Sequence, residues 1–150
     1  MDHRPNDDAL IPADERIYLR VYPSADALVP LDGGEYRPNS GAFRRTNQDI
    51  PISADRGSLS SPEQTRSRGG PHFHVVALTA AEIRAIGCRV VRNLIRADDP
   101  NGDAPNAAHV LIYGSRKKGN DFLGGLTGGE AEKLARRARL VLRGDGAPPA

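Results

Sequence analysis

The chain has 150 residues, of which 38% are apolar, with 16 glycines and 12 prolines, a composition that suits one domain with a modest core and much loop. The single cysteine, Cys88, cannot form an internal disulfide, and no apolar run approaches the roughly 18 residues of a membrane span. With no targeting segment in view, we expect a soluble, cytoplasmic protein that does not contact a membrane.

The net charge of +2 hides an asymmetry along the chain. Residues 1–35 carry 3 basic and 8 acidic side chains, whereas residues 106–143 carry 8 basic and 3 acidic ones. Such a distribution can steer an anionic partner to one face of the protein. The distribution is also explained by two ends that attract each other, or by charge that serves solubility.

The first half of the chain has one clear element. Apolar and polar residues alternate over residues 17–22, which predicts a strand that ends at Pro23. Residues 1–15 lack periodicity, and we expect them to be flexible together with the Gly/Pro/Ala tail at 144–150. Residues 23–70 form a long irregular segment in which short elements must be hidden, because structureless loops of that length are uncommon in compact domains.

Three short elements can be assigned within this irregular segment. Residues 38–41 have the Pro, Asn, Ser and Gly composition of a turn. Residues 49–53 are compatible with a short edge strand, because Pro51 cannot donate a hydrogen bond in a central position. Ser61 followed three residues later by Gln64 is the pattern of a capping box, so a short helix should begin there.

The second half has stronger signals. β-rich runs predict strands over residues 73–78, 89–95 and 108–113. A capping box opens a helix over residues 79–86, between the first two of these strands. Because a helix between two strands usually makes a right-handed crossover, we expect one parallel pair.

The sequence closes with a third capping box, Thr127 to Glu130, which predicts a final helix over residues 128–142. Its expected buried stripe consists of Ala131, Leu134, Ala138, Val141 and Leu142. We therefore predict an α+β fold in a single small domain over residues 1–150. Its mixed sheet of about four strands should have helices on one face and the long irregular segment 23–70 beside it.

Three histidines are candidates for chemistry. His72 and His74 are two residues apart on a predicted strand, so their side chains point to the same face, and His109 begins another strand. Imidazoles near one end of a sheet could bind zinc or supply a general base. Alternatively, His74 shares a face with Val76 and Leu78 and is a buried, hydrogen-bonded histidine.

A cationic loop over residues 114–120 follows a predicted strand and could bind phosphate through its backbone amides and cations. It matches neither the Walker loop nor the dinucleotide-binding glycine pattern. The last predicted helix adds a basic stripe, which is formed by Arg136, Arg139 and Arg143. The anion-binding candidates are Arg116, Lys117, Lys118 and Arg136, unless loop and helix face are simply solvated.

Arginines in the first half could also hold an anion. Arg20 lies on the strand face that carries Tyr18 and Tyr22, and Arg44 follows a predicted turn. A guanidinium group binds carboxylate or phosphate in a bidentate manner. The same arginines could instead tie down the irregular segment through its carbonyl groups.

Several short segments occur in an order that resembles a group of small hypothetical bacterial proteins. They span residues 20–23, 38–44, 61–65, 78–79 and 106–109, with Gly87, Val90 and Gly114. The resemblance covers roughly residues 17–140. It implies no activity and therefore no catalytic residue.

We predict from these features an accessory domain without a cofactor that uses residues 114–120 and the last helix to bind nucleic acid or an acidic protein. The alternative is a hydrolase or transferase for a phosphorylated or nucleotide substrate. It would use His74 or His109 together with Arg20 or Arg44. A third possibility is a homo-oligomer that pairs through an exposed strand edge.

Overall fold

The computed structural model describes residues 4–44 and 49–145. Within these ranges the chain forms ten strands, three α-helices and a 3-10 turn at Asp32–Gly34. The strands are β1 Arg16–Val21, β2 Leu28–Pro30, β3 Tyr36–Pro38, β4 Ile52–Arg56, β5 His74–Thr79, β6 Arg89–Arg92, β7 His109–Tyr113, β8 Lys117–Lys118, β9 Asp121–Phe122 and β10 Arg139–Leu142. The helices are α1 Pro62–Ser67, α2 Ala80–Ala85 and α3 Gly128–Arg137.

Six strands form one sheet in the order β10-β5-β1-β4-β7-β6, and each neighbouring pair is antiparallel. The predicted α+β class is confirmed, whereas the expectation of about four strands in a mixed sheet is wrong. The expected parallel pair does not form, because β1, β4 and β7 lie between β5 and β6. Two small hairpins, β2–β3 and β8–β9, complete the strands of the described residues.

The segment over residues 23–70 is not irregular throughout. It holds the β2–β3 hairpin, α1, and the strand β4, which lies in the middle of the sheet between β1 and β7. The prediction of an edge strand over residues 49–53 is therefore wrong. Pro51 directly precedes β4, so its missing N–H group falls outside the β4 ladder and does not prevent a central position.

Side-chain alternation gives the sheet two different faces. β1 sends Ile17, Leu19 and Val21 into the main hydrophobic core, and we call this side the core face. Helices α2 and α3 close the same core through Ile83 and Leu134, which are fully buried. Full burial of an aliphatic side chain of this size stabilises the fold by about 1.5–3 kcal/mol.

The opposite side of the sheet, which we call the second face, carries Tyr18 and Arg20 of β1 and Asp55 of β4. Tyr18 and Asp55 are directly paired across β1 and β4, so their side chains share this face. Helix α1 lies here, since Thr65 donates a hydrogen bond to Asp55. The expectation of helices on one face only is therefore wrong.

All three predicted capping boxes form. The hydroxyl groups of Ser61, Thr79 and Thr127 each accept the backbone N–H of the residue three positions on, and that residue's side chain accepts the N–H of the cap. Such a cap stabilises a helix start by about 1 kcal/mol. These helix starts were predictable because every partner is local in sequence.

The last helix is shorter than predicted. α3 ends at Arg137, Ala138 is extended with φ −67° and ψ 147°, and residues 139–142 form β10, which pairs with β5. Ala131 and Leu134 are buried as expected. The prediction that Val141 and Leu142 continue the helical stripe is wrong. These residues lie in β10, where pairing with the open edge of β5 satisfies the backbone hydrogen-bonding groups of this apolar run.

The amino-terminal segment runs along β6. The N–H of Asp8 donates to the carbonyl of Val90 at 3.0 Å, and the Asp8 carboxylate pairs with Arg92 at 2.6 Å. Ile11 is buried in the main core. Of the termini for which we predict flexibility, residues 1–3 and 146–150 lie outside the described residues. No helix in the described part of the chain is long and apolar enough to span a membrane.

Candidate functional site

The three histidines do not gather at one site. His74 is paired with Val21 and lies on the core face of β5, whereas His109 is paired with Asp55 and lies on the second face of β7. His72 precedes β5, and its Nδ1 is hydrogen-bonded to the backbone carbonyl of Asp145. Within residues 4–44 and 49–145, no group of three or more His, Cys, Asp or Glu side chains is placed to hold a metal ion.

His74 has a structural environment. It is 1% exposed, and its Nδ1 accepts the backbone N–H of Gly144 at 3.0 Å. Burial lowers the pKa of His74 below its usual value, and the positive charge of Arg143 lowers it further. A neutral imidazole that accepts this hydrogen bond ties the carboxyl-terminal segment to β5, in agreement with the interpretation of a buried, hydrogen-bonded histidine.

A cleft opens on the second face between α1, β4, β7 and the loop over residues 95–106. Its volume is about 270 Å³. Most of the side chains that line the cleft are charged or polar. Its polar lining consists of Arg20, Ser53, Asp55, Arg68, Asp103, Asn106 and His109. The cleft thus brings together two of the sequence-predicted catalytic candidates, Arg20 and His109, but not His74.

Asp55 organises the floor of the cleft. Its side chain is 2% exposed and accepts hydrogen bonds from Thr65 Oγ1, Arg68 Nη1 and Asn106 Nδ2, each at 2.8 Å. Asn106 is held in turn, since its Oδ1 accepts the N–H of Ala108. A buried carboxylate with three donors is fully compensated, so these partners are held in one arrangement.

Arg68 is held at one edge of its guanidinium group. Nη1 donates to Asp55 and, at 3.3 Å, to the hydroxyl of Ser60, while Nη2 donates to Asn106 Oδ1 at 3.1 Å. These bonds leave Nε–H and one hydrogen of Nη2 without an acceptor among the described residues. The side chain is 32% exposed and lines the cleft, so a bidentate carboxylate or phosphate site remains.

The tautomer of His109 follows from one hydrogen bond. Its Nδ1 lies 2.7 Å from the backbone carbonyl of Asn93, and a carbonyl oxygen only accepts. Nδ1 therefore carries a proton, and the neutral ring has its lone pair at Nε2. Nε2 has no hydrogen-bond partner in the part of the chain that the structure describes, which leaves it able to accept a proton.

The two arginine candidates lie in different places. Arg20 lines the cleft, and its Nη1 donates to the carbonyl of Thr65 at the end of α1, at 3.4 Å. It therefore adds positive charge to the cleft while it contacts the helix backbone. Arg44 does not line the cleft, and it borders a separate small depression beside Phe43 and Leu126.

The predicted phosphate-binding loop is already engaged by a carboxylate. The backbone N–H and hydroxyl of Ser115 donate to Glu130 at 2.9 and 2.8 Å, and Arg116 pairs with Asp49 at 3.2 Å. Lys117 and Lys118 are exposed on the β8–β9 hairpin. The glycine-flanked amides at the start of this loop therefore face an acidic side chain of the protein itself.

The predicted basic stripe is not a feature of one helix. Arg136 lies on α3 and pairs with Glu132 at 2.6 Å, whereas Arg139 is in β10 and Arg143 follows it. The helical spacing that placed these arginines on one face does not apply beyond Arg137. Two of the four anion-binding candidates, Arg116 and Arg136, thus have carboxylate partners.

Cys88 is a core residue. It is 3% exposed, and burial together with the negative charge of Glu130 raises the pKa of its thiol to about 12. The thiolate is the reactive form of cysteine. A buried, protonated thiol of this kind is a poor nucleophile.

Sequence reasoning missed Asp55, Arg68 and Asn106 as a set. The sequence carried little signal for this set, because Asp55 alternates with the apolar Ile52 and Ala54 of β4 and so occupies a position where an exposed polar residue is expected. The identity of the partners of Asp55 depends on long-range contacts. Comparison of the chain with protein-family models, curated proteins and solved structures finds no match.

Proposed function

We propose that the protein is a small hydrolase or transferase that acts on a compact phosphorylated substrate bound in the cleft on the second face. The observation that supports this proposal is the presence, in one pocket, of an open guanidinium edge on Arg68 and an available imidazole nitrogen on His109. The volume of about 270 Å³ is near the lower end for small-molecule sites, which favours a small monoester over a larger ligand.

Substrate binding in this scheme depends on positioned positive charge. Arg68 holds two phosphate oxygens through Nε and Nη2, while Asp55 and Asn106 keep the guanidinium group in place from the opposite edge. Arg20 adds a second positive charge to the same cleft. Preorganised donors of this kind stabilise charge that develops on the phosphoryl oxygens in the transition state.

His109 supplies proton transfer. Its Nε2 accepts a proton from the attacking water or acceptor hydroxyl, whose oxygen forms the new bond to phosphorus while the bond to the leaving oxygen breaks. The carbonyl of Asn93 remains hydrogen-bonded to Nδ1 and stabilises the imidazolium ion. The imidazolium then returns its proton to the leaving oxygen, which restores the neutral ring.

This proposal is favoured over a macromolecule-binding surface at residues 114–120. The cleft combines a charge-binding group with a proton acceptor, whereas two of the four surface candidates already have carboxylate partners. Binding of nucleic acid or an acidic protein by the exposed Lys117 and Lys118 stays a prediction.

The test is hydrolysis of a panel of phosphomonoesters, with p-nitrophenyl phosphate as the first probe. The variant His109→Gln should lower the rate by about 10²–10⁴-fold, the usual contribution of a general base. His72→Gln is the matched control and should leave the rate unchanged, because His72 lies outside the cleft. Arg68→Lys keeps the charge next to Asp55 but loses the bidentate edge, so it should raise KM.

Two results contradict the proposal. Equal rates for His109→Gln and the parent protein exclude His109 as the general base. If no member of the panel is turned over and Arg68→Lys binds p-nitrophenyl phosphate as well as the parent does, both the enzyme and the cleft assignments are wrong.

A further inference from the structure

A second concave region lies over β5 near the β10 edge of the sheet, away from the cleft. Its volume is about 330 Å³. Three arginines line it, and they come from the start of β1, the end of α3 and the start of β10. They are Arg16, Arg137 and Arg139.

The sheet register explains why these arginines converge. Arg16 of β1 is paired with Thr79 of β5, and Arg139 of β10 is paired with Ala77 of the same strand. Paired residues point to the same face, and so do residues two apart on a strand. The two arginines therefore flank β5 from either side, at backbone positions about 10 Å apart across the sheet and about 7 Å apart along it. Arginine side chains are long enough to meet over β5.

The chain reversal at Ala138 brings in the third arginine. Because α3 ends at Arg137 and β10 begins at Arg139, these two side chains lie on either side of a single extended residue. In a continuous helix they would point in different directions. The same departure from helix that breaks the predicted stripe thus creates a new basic cluster.

Two of the three guanidinium groups in this cluster are open to a ligand. The guanidinium group of Arg137 has no hydrogen bond or ion pair in the described part of the chain. The guanidinium group of Arg16 has no hydrogen bond or ion pair among residues 4–44 and 49–145, and it lies 5.8 Å from the ring centroid of Tyr18. Arg139 is anchored, since its Nη1 donates to the carbonyls of Arg136 and Ala138 at 2.8 and 2.9 Å.

Some arginines outside this region have close carboxylate partners. Arg56 pairs with Glu15 at 2.7 Å, and Arg84 pairs with Asp7 at 2.8 Å. Some guanidinium groups of this protein are thus paired with an internal acid. In the concave region, Arg16 and Arg137 have no carboxylate partner among the described residues, and Arg139 has only the long contact with Glu35.

Acidic groups do not neutralise the cluster. Glu82 is the one carboxylate among the described residues that line the region, and its Oε1 accepts the N–H and hydroxyl of Thr79 in the α2 capping box. Glu35 is 66% exposed and lies 3.7 Å from Arg139 Nε, a long contact that solvent screens. The region therefore combines three positive charges with the negative charge of Glu82, with Glu35 at its margin, and it keeps a net positive charge.

We propose that this region, formed by Arg16, Arg137 and Arg139, binds a phosphate-type oxyanion, either free or as the monoester of a small molecule. The planar guanidinium fork matches the spacing of phosphate oxygens, and two or three such groups around one concave region provide several charge-assisted hydrogen bonds. The site is separate from the cleft and does not depend on the function proposed for it, since Arg16, Arg137 and Arg139 do not line that pocket.

The experiment is a titration of the full chain followed by ¹H–¹⁵N NMR, with inorganic phosphate and phenyl phosphate as separate arms and acetate as the control anion. Backbone amides of Ala77 and Thr79 and the Nε–H of Arg139 should shift and saturate with either phosphate compound, but not with acetate. Tighter binding of phenyl phosphate identifies a monoester as the ligand, and equal binding identifies free phosphate.

Variants test the assignment. Arg137→Gln and Arg16→Gln should each weaken phosphate binding by about fivefold or more, as expected for a lost charge-assisted hydrogen bond. Arg136→Gln is the matched control from the same helix, and it should change binding by less than about twofold, because Arg136 pairs with Glu132 outside the region. Acetate binding equal to phosphate binding, or unchanged binding in both test variants, overturns the proposal. Shifts confined to residues of the cleft also overturn it, and they leave the proposed function standing.

Discussion

Replacement of Asp55 by Asn is the most informative single change in this protein. Asp55 accepts hydrogen bonds at both carboxylate oxygens, with Thr65 and Arg68 at Oδ2 and Asn106 at Oδ1. An amide has nearly the same shape, but one of its two ends must present N–H groups to a donor. Asp55→Asn therefore removes a charge and creates a donor–donor conflict without a change of volume.

The expected loss of stability follows from burial. Removal of one partner from a buried ion pair costs about 3–5 kcal/mol, because the remaining charge is left uncompensated. Since the side chain of Arg68 is 32% exposed, water can hydrate part of its charge, and we expect a value near the lower limit, about 3 kcal/mol. For a protein of this size that corresponds to a fall in Tm of about 6–12 °C.

Urea and thermal unfolding, followed by circular dichroism, measure this effect. Asp103→Asn is the matched control, since Asp103 lines the same cleft but is exposed, and its replacement should change the free energy of unfolding by no more than about 0.5 kcal/mol. A loss for Asp55→Asn as small as that of the control would refute the view that the network is buried and fully paired.

Two further predictions concern titratable groups of the core. The pKa of His74 is lowered in the folded protein, so as the pH falls the unfolded chain binds a proton at His74 before the folded protein does. The contribution of His74 to the free energy of unfolding should therefore be fully present above pH 6.5, the ordinary pKa, and fall by up to about 1.4 kcal/mol per pH unit below it. Urea unfolding at pH 7.5 and 5.5 measures this slope, and a His74→Gln variant with an undiminished slope contradicts the assignment. Burial that raises the pKa of Cys88 to about 12 should keep the thiol unreactive toward Ellman's reagent at pH 8 until urea unfolds the chain. Rapid reaction of the native protein would show that Cys88 is not buried in solution.

Local features could be predicted from the sequence because the residues that determine them are neighbours. The Thr79 cap needs only Glu82, and the Thr127 cap needs only Glu130, so both helix starts are encoded within four residues. The alternation over β1 and the common face of His74 with Val76 and Leu78 likewise follow from the period of a strand. Helix capping and side-chain alternation do not depend on where the rest of the chain lies.

The site could be predicted only in part. Arg20 and His109 were candidates from their positions on predicted strands, and the structure places both in one cleft. His74 belongs to the opposite face. Asp55 and Arg68 were missed, because nothing in the sequence pairs residues of β4 with the end of α1 until the sheet and helix are assembled.

The sequence by itself determined the α+β class, the helix starts and which residues of β1 face the core, since propensity, capping and side-chain period act over a few residues. Only the tertiary structure decided the strand order, the central position of β4 and the change from helix to strand at Ala138. Those choices depend on which distant strand edge is available for pairing, and the hydrogen bonds gained there outweigh local helix propensity. The cleft and the arginine cluster over β5 exist because of these long-range pairings.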